Sequence, residues 1–167
     1  MKEYIKKRLL ESLITCPELP LNDDIINYVS QFKSDEELLR NGGIPTELLD
    51  RLAFGFSEND IKTIEPKKLK IKWKTDLENV KWEVKKSGLT PKLWSLKINL
   101  EEPIDVSYEN GNFYIEDGHH RYYAAKTLNK LLNVNLEINS NPIVKLSNLG
   151  YDDFHRCIFK QIMKNNL

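Results

Sequence analysis

The Asn110-Gly111 pair constrains the fold of this chain more than any other short motif. Both residue types accept the positive φ angles of a two-residue hairpin turn. Apolar stretches flank the pair at Ile104–Val106 and Phe113–Ile115, so the sequence predicts a β-hairpin here. Apolar and polar residues also alternate across 134–138, which predicts a further strand.

Residues 1–60 show helical rather than alternating periodicity. Apolar residues recur at helical spacing in three stretches, which are Ile5–Leu13, Ile25–Phe32 and Leu48–Ala53. Ser34 followed by Glu37 fits a capping box and predicts the start of another helix. We expect 1–60 to be a helical N-terminal extension.

In the remaining chain we expect a helix and a loop within residues 79–97, and further helices at His119–Lys130 and Asp153–Met163. Together with the strands they predict an α+β fold, in which helices pack on a small mixed β-sheet. We expect residues 61–167 to form one domain that the C-terminal helix closes.

Lysines alternate with Leu69, Ile71 and Trp73 over residues 68–74, and residues 62–86 have a net charge of +5. One interpretation is an edge strand that its lysines protect from pairing with other chains. The other is a cationic surface that faces phosphates. Trp73 and Trp82 are expected in the core.

The formal net charge is zero, with 25 basic and 25 acidic residues. This balance argues against a nonspecific DNA coat or a protein that adsorbs to membranes, because both need excess positive charge. Charged residues interrupt Met1–Thr15, so we expect no secretory signal there. Cys16 and Cys157 are isolated, which predicts reduced thiols and a cytoplasmic location.

The densest group of chemically active residues lies in the segment 116–123, at a predicted strand–turn–helix junction. A helix N-terminus offers unpaired N–H groups and partial positive charge to an anion. Gly118 permits a tight turn, Arg121 suits bidentate contact with phosphate, and His119 and His120 are further donors. The junction therefore predicts a phosphate-binding site.

Two carboxylates precede the glycine. Asp117 and Glu116 are candidates to act as a general base, to orient a histidine or, for Asp117 above all, to hold Mg²⁺. A simpler interpretation is a helix capped by Asp117 with histidines on the surface. A zinc site is disfavoured, because the adjacent His119 and His120 point about 100° apart on a helix.

The stretch from Pro103 to Lys126, with Glu116-Asp117-Gly118-His119-His120-Arg121 at its centre, resembles the ParB/sulfiredoxin-like superfamily. The resemblance includes the N-terminal-like domain of ParB and covers about residues 102–138. Partition proteins of this superfamily use CTP as a switch, and sulfiredoxins use ATP to activate an oxidised cysteine. The Asp-Gly-His-His-Arg version is similar to free-serine kinases.

The resemblance implies a role for each residue of the motif. Gly118 matches the turn, Arg121 the phosphate-binding arginine and His120 the second phosphate contact. His119 stands where sulfiredoxins have cysteine, so the motif holds no thiol for sulfiredoxin chemistry. The expected nucleotide and phosphate contacts are Gly118, His119, His120 and Arg121, and the expected catalytic residues are Glu116, Asp117 and His119.

We therefore expect an ATP-dependent phosphotransferase that acts on a small hydroxyl substrate, with ATP or another nucleotide and Mg²⁺ as cofactors. The alternative is a non-catalytic, nucleotide-dependent module that associates with DNA, as partition proteins do. A nuclease ranks lowest. No membrane partner is expected.

Overall fold

A computed structural model of the chain describes residues 15–165. In chain order, the helices are α1 (Asp23–Val29), α2 (Asp35–Arg40), α3 (Thr46–Phe54), α4 (Lys74–Lys86), α5 (Pro91–Leu96), α6 (His119–Leu128), α7 (Pro142–Ser147) and α8 (Tyr151–Asn165). The strands are β1 (Thr63–Ile64), β2 (Leu69–Ile71), β3 (Ile104–Glu109), β4 (Asn112–Asp117) and β5 (Leu132–Ile138). A short 3₁₀ turn at Pro66–Lys68 precedes β2.

The chain divides into two compact units. Within the described residues, the first unit combines 15–55 with 141–165, and the second unit is the continuous segment 56–140. Each unit has its own hydrophobic core.

The second unit is built on a mixed five-stranded sheet in the order β1-β5-β3-β4-β2. Strands β3 and β4 are antiparallel, as are β1 and β5, whereas β2 runs parallel to β4 and β3 parallel to β5. Asn110 and Gly111 turn the β3–β4 hairpin with φ angles of 50° and 83°. The predicted hairpin and the predicted α+β fold, with helices on a small mixed sheet, are confirmed.

One face of this sheet is apolar and packs against α6. Tyr122 and Ala125 of α6 are buried against it. The buried residues that the sheet contributes are Ile64, Leu69, Ile104, Val106, Ile115, Leu132 and Val134. This packing fixes the N-terminus of α6 beside the end of β4.

The first unit is helical, and Ser34 caps α2 as predicted, but Glu37 Oε2 accepts from the N–H of Lys33 (2.9 Å) in place of the reciprocal bond of a capping box. The Ser34 side chain accepts a hydrogen bond from the backbone N–H of Glu37 (3.2 Å). The helix predicted at Ile5–Leu13 lies outside the described residues.

The C-terminal helix α8 belongs to the first unit. Phe154 and Ile158 share a core with Ile25 and Leu38. We expected this helix to close the 61–167 domain, but its apolar face finds its partners on the N-terminal helices. The division at residue 60 itself stays a prediction.

Two expectations for the lysine-rich segment need correction. Strand β2 is shorter than predicted, because α4 already begins at Lys74. The strand lies at an edge of the sheet, as the edge-strand interpretation requires. Trp73 and Trp82 are 58% and 59% exposed, so both were wrongly placed in the core. Trp82 lies between the buried Val80 and Val84 of α4, and helical geometry turns it toward solvent.

Cys16 and Cys157 form a disulfide within the first unit, with Cα atoms 5.3 Å apart. The expectation of two reduced thiols was therefore wrong. The two residues are 141 positions apart in sequence, and only the packing of the N-terminal segment on α8 brings them together.

Within residues 15–165, none of the helices is both long and apolar enough to cross a membrane.

Candidate functional site

Gly118 marks the junction at which β4 ends and α6 begins. Its φ of 104° is unfavourable for residues with a side chain. A Cβ at this position would lie only 2.4 Å from Cγ2 of Ile104. A glycine is therefore needed here both for backbone conformation and for space.

The first turn of α6 presents backbone N–H groups to the end of β4. The first backbone hydrogen bond of α6 runs from Tyr122 N to Gly118 O (3.0 Å). The preceding N–H groups, those of His119 to Arg121, therefore have no acceptor within the helix. Asp117 Oδ1 accepts from the N–H of Gly118 (2.9 Å), and no acidic side chain occupies the first turn. This helix end is disposed to bind an anion.

A pocket of about 380 Å³ lies between this junction and α4, entirely within the second unit. Asp117, Gly118, His119, His120 and Arg121 line its junction side. Its α4 side is formed by Asp76, Asn79, Val80 and Glu83. Five of the six residues that the sequence analysis named as site residues thus share one cavity.

His119 has the most unusual environment in this pocket. Its side chain is only 12% exposed, and its Nε2 is buried without a hydrogen-bond partner among the described residues. Asp76 Oδ2 is 3.7 Å away, beyond hydrogen-bonding distance. A buried imidazole nitrogen without a partner is costly to maintain and is available to a ligand.

His120 is held at the edge of the pocket by two contacts. Its Nε2 is 2.6 Å from Glu83 Oε2. Its ring stacks on the indole of Trp94, with centroids 6.1 Å apart and an interplanar angle of 30°. The side chain remains about half exposed, so it can contact a bound molecule.

Arg121 lines the pocket, but its guanidinium binds the two residues that directly precede β3. Nη2 contacts the carboxylate of Glu102, and Nη1 donates to the carbonyl of Pro103 (3.1 Å). To grip a phosphate with both nitrogens, the guanidinium has to exchange these partners.

Glu116 does not line the pocket. Its Oε1 accepts hydrogen bonds from the ammonium of Lys72 and, at 2.6 Å, from the buried Ser107 hydroxyl. The Lys72 contact first, and then Ser107, lowers the pKa of Glu116, which weakens it as a base. The structure thus separates Glu116 from the other predicted catalytic residues, Asp117 and His119.

Three polar residues of the site were missed by sequence reasoning. Asp76, Asn79 and Glu83 have the i, i+3, i+7 spacing that places residues on one face of a helix. That spacing was a signal in the sequence. Their proximity to His119 and His120, however, depends on how α4 packs against α6.

The donor set of the pocket bears on the expected metal. Within residues 15–165, no group of three or more His, Cys, Asp or Glu side chains is arranged to hold a metal ion. Asp76 and Asp117 nevertheless line the same cavity. Such residues fit a Mg²⁺ ion that arrives with a nucleotide, because phosphates and water then supply most ligands.

Comparisons with known proteins add little to this picture. No family model matches the sequence, and no curated protein matches it. A solved structure, sulfiredoxin from Arabidopsis thaliana, aligns with 47% of this chain and 83% of its own, at 19% identity. Its TM-score is 0.25, so this likeness carries no argument about the chain.

Proposed function

We propose that the second unit binds a nucleoside triphosphate in the pocket beside α6 and transfers its terminal phosphoryl group to a small hydroxyl substrate. The observation that carries this proposal is His119 Nε2, which is buried without a hydrogen-bond partner among residues 15–165 and lies in the same cavity as the N-terminus of α6. Phosphoryl transfer needs positioned positive charge for the phosphates and an acceptor for one proton. The resemblance of residues 102–138 to the ParB/sulfiredoxin-like superfamily implies the same nucleotide site.

The phosphates would bind at the first turn of α6. Gly118 adopts the positive φ with which α6 begins, and the N–H groups of His119 to Arg121 lie at the positive end of the helix. Arg121 would leave Glu102 to contact the terminal phosphate, and His120 would donate from the rim. Together these contacts would offset the negative charge of the phosphates.

His119 is the proposed general base. As the acceptor oxygen forms its bond to the terminal phosphorus, the bond to the bridging oxygen breaks and the nucleoside diphosphate leaves. The hydroxyl proton moves to Nε2 of a neutral His119. The Asp76 carboxylate, 3.7 Å from that nitrogen, stabilises the imidazolium that results.

Asp117 would hold Mg²⁺ carried by the nucleotide. The ion would supply charge neutralisation at the phosphates. Asp117 already accepts a hydrogen bond from Gly118, which fixes one carboxylate oxygen at the junction.

Nucleotide binding is tested first by thermal unfolding of the full chain with ATP, ADP, CTP and GTP, each with and without Mg²⁺. A ligand that binds the native state raises Tm by linkage. We expect a selective increase that Arg121→Ala reduces. The absence of a shift with every nucleotide would overturn the proposal.

Transfer is tested with γ-labelled ATP and a panel of small hydroxyl compounds. His119→Gln should retain the nucleotide-induced Tm shift and lose at least about 100-fold in transfer rate, the usual contribution of a general base. Glu116→Gln is the matched control, since this carboxylate lies outside the pocket, and it should change the transfer rate little. Equal losses in both variants would remove His119 from the proposed role.

The second candidate is a nucleotide-dependent module that associates with DNA. Lys67, Lys68 and Lys70 are exposed near the edge strand β2 and support this alternative. It predicts a gel shift with duplex DNA that weakens steeply as salt increases. A nucleotide-dependent gel shift without phosphoryl transfer would favour it over the first proposal.

We also propose a cytoplasmic location, where nucleoside triphosphates are plentiful. In that compartment the Cys16–Cys157 disulfide would meet a reducing pool of small thiols.

A further inference from the structure

The Cys16–Cys157 disulfide lines a second cavity, which lies in the first unit and has a volume of about 330 Å³. Its wall includes Glu18 from the N-terminal segment and Lys160 and Lys164 from α8. Neither the proposed phosphotransfer nor the packing of the core uses this cavity. A disulfide at the wall of an open cavity is within reach of a second thiol.

The two cysteines differ in exposure. Cys157 is only 2% exposed, because it lies on the buried side of α8, whereas Cys16 is partly exposed. An incoming thiolate must approach the sulfur that it attacks along the axis of the S–S bond. Cys16 is therefore the accessible target, and Cys157 is the leaving group.

The charged side chains that line the cavity have a net positive charge. Lys160 and Lys164 follow Cys157 at i+3 and i+7, so α8 places both on the side of the helix that carries the disulfide. Within residues 15–165, neither lysine takes part in an ion pair. Glu18 offsets only one of the two positive charges. Such a cavity attracts an anionic molecule.

We propose that this cavity is a thiol-exchange site, at which a small thiol bearing carboxylates opens the disulfide and remains attached to Cys16. The thiolate sulfur forms a bond with Sγ of Cys16, and the Cys16–Cys157 bond breaks. The electron pair stays on Sγ of Cys157, which becomes a thiolate that Lys160 and Lys164 stabilise by charge. The carboxylates of the attached thiol face the same lysines.

The surrounding contacts let this exchange occur in the folded protein. Leu19 is held to α8 by two further hydrogen bonds, from its N–H to Gln161 Oε1 (2.9 Å) and from Gln161 Nε2 to its carbonyl (2.8 Å). The Leu19 side chain is also buried in the core of the first unit. The N-terminal segment thus stays docked when the disulfide opens, and the exchange modifies the surface without unfolding the unit.

The test compares two thiol probes on the folded full chain, glutathione with net negative charge and cysteamine with positive charge, at equal thiolate concentration. Each rate is divided by the rate of the same thiol with a small uncharged disulfide. Intact mass and peptide mapping identify the product. We expect the corrected rate for glutathione to exceed that for cysteamine about tenfold at low salt, with the mixed disulfide on Cys16.

A variant that combines Lys160→Gln and Lys164→Gln should bring the ratio of the corrected glutathione rate to the corrected cysteamine rate close to one. The matched control combines Lys33→Gln and Lys145→Gln, which removes two lysines of the same unit that do not line the cavity, and it should keep the ratio. Equal corrected rates in the wild type, attachment to Cys157, or exchange no faster than global unfolding would each overturn the proposal.

Discussion

Nε2 of His119 lies 3.7 Å from Oδ2 of Asp76, across the pocket between α6 and α4. The distance is too long for a hydrogen bond but short enough for charge interaction once the imidazole gains a proton. In the proposed reaction, Asp76 is a positioning residue that acts through His119.

Asp76→Asn should lower the rate of phosphoryl transfer about tenfold, which corresponds to about 1.4 kcal/mol in the barrier. The nucleotide Kd should change little, because Asp76 acts on the proton rather than on the donor phosphates. Steady-state kinetics separate the two effects as a lower kcat at similar KM. A change in KM alone would assign Asp76 to substrate binding instead.

Glu102→Gln should strengthen nucleotide binding. The Glu102 carboxylate pairs with Arg121, so in the proposed complex it would compete with the phosphates for this guanidinium. Removing a partly exposed ion pair of this kind is worth about 1 kcal/mol, or about a fivefold lower Kd. The neighbouring Glu101→Gln removes the same charge without releasing Arg121, so titration calorimetry should show a smaller effect for it.

Gly118→Ala should destabilise the second unit by about 3 kcal/mol or more. The substitution combines an unfavourable positive φ with a close approach of Cβ to Ile104. Gly88→Ala is the matched control, because Gly88 also has a positive φ but open space around its Cα, and it should cost about 1–2 kcal/mol. Urea denaturation of both variants measures the difference, and equal losses would show that space is not limiting at Gly118.

Acidification should destabilise the first unit through His155. Burial lowers the pKa of this histidine below its ordinary value of 6.5. Its Nδ1–H donates to the carbonyl of Tyr151 (2.7 Å), and its Nε2 accepts from Ile44 N (2.9 Å), so both nitrogens are satisfied in the neutral form.

The unfolded chain gains the proton first, so the contribution of neutral His155 is complete above pH 6.5 and falls as the pH drops from there toward the lower folded pKa. Denaturant titrations between pH 8 and pH 5 should show this decrease. In His155→Asn the free energy of unfolding should be lower overall but flatter across that interval. An unchanged slope in the variant would assign the effect to other groups.

The local features of the second unit were predictable from short stretches of sequence. Asn110 and Gly111 determine the hairpin because few other residues accept two consecutive positive φ angles. The start of α6 at His119 follows from Gly118 and from the helical spacing after it. Trp82 was wrongly assigned to the core because the helical repeat of α4 was not recognised in the sequence. Val80 and Val84 lie on the buried face of that helix, and Trp82 lies off it.

The relationships that make a site were decided by tertiary structure alone. Asp76 with His119, Glu102 with Arg121, and Cys16 with Cys157 are each far apart in sequence. Backbone conformation and hydrophobic period are properties of neighbouring residues, and they can be recognised in the order of the amino acids. Which side chains meet across a cavity depends instead on how whole elements pack, since one helix face can dock in several ways that satisfy the same local preferences.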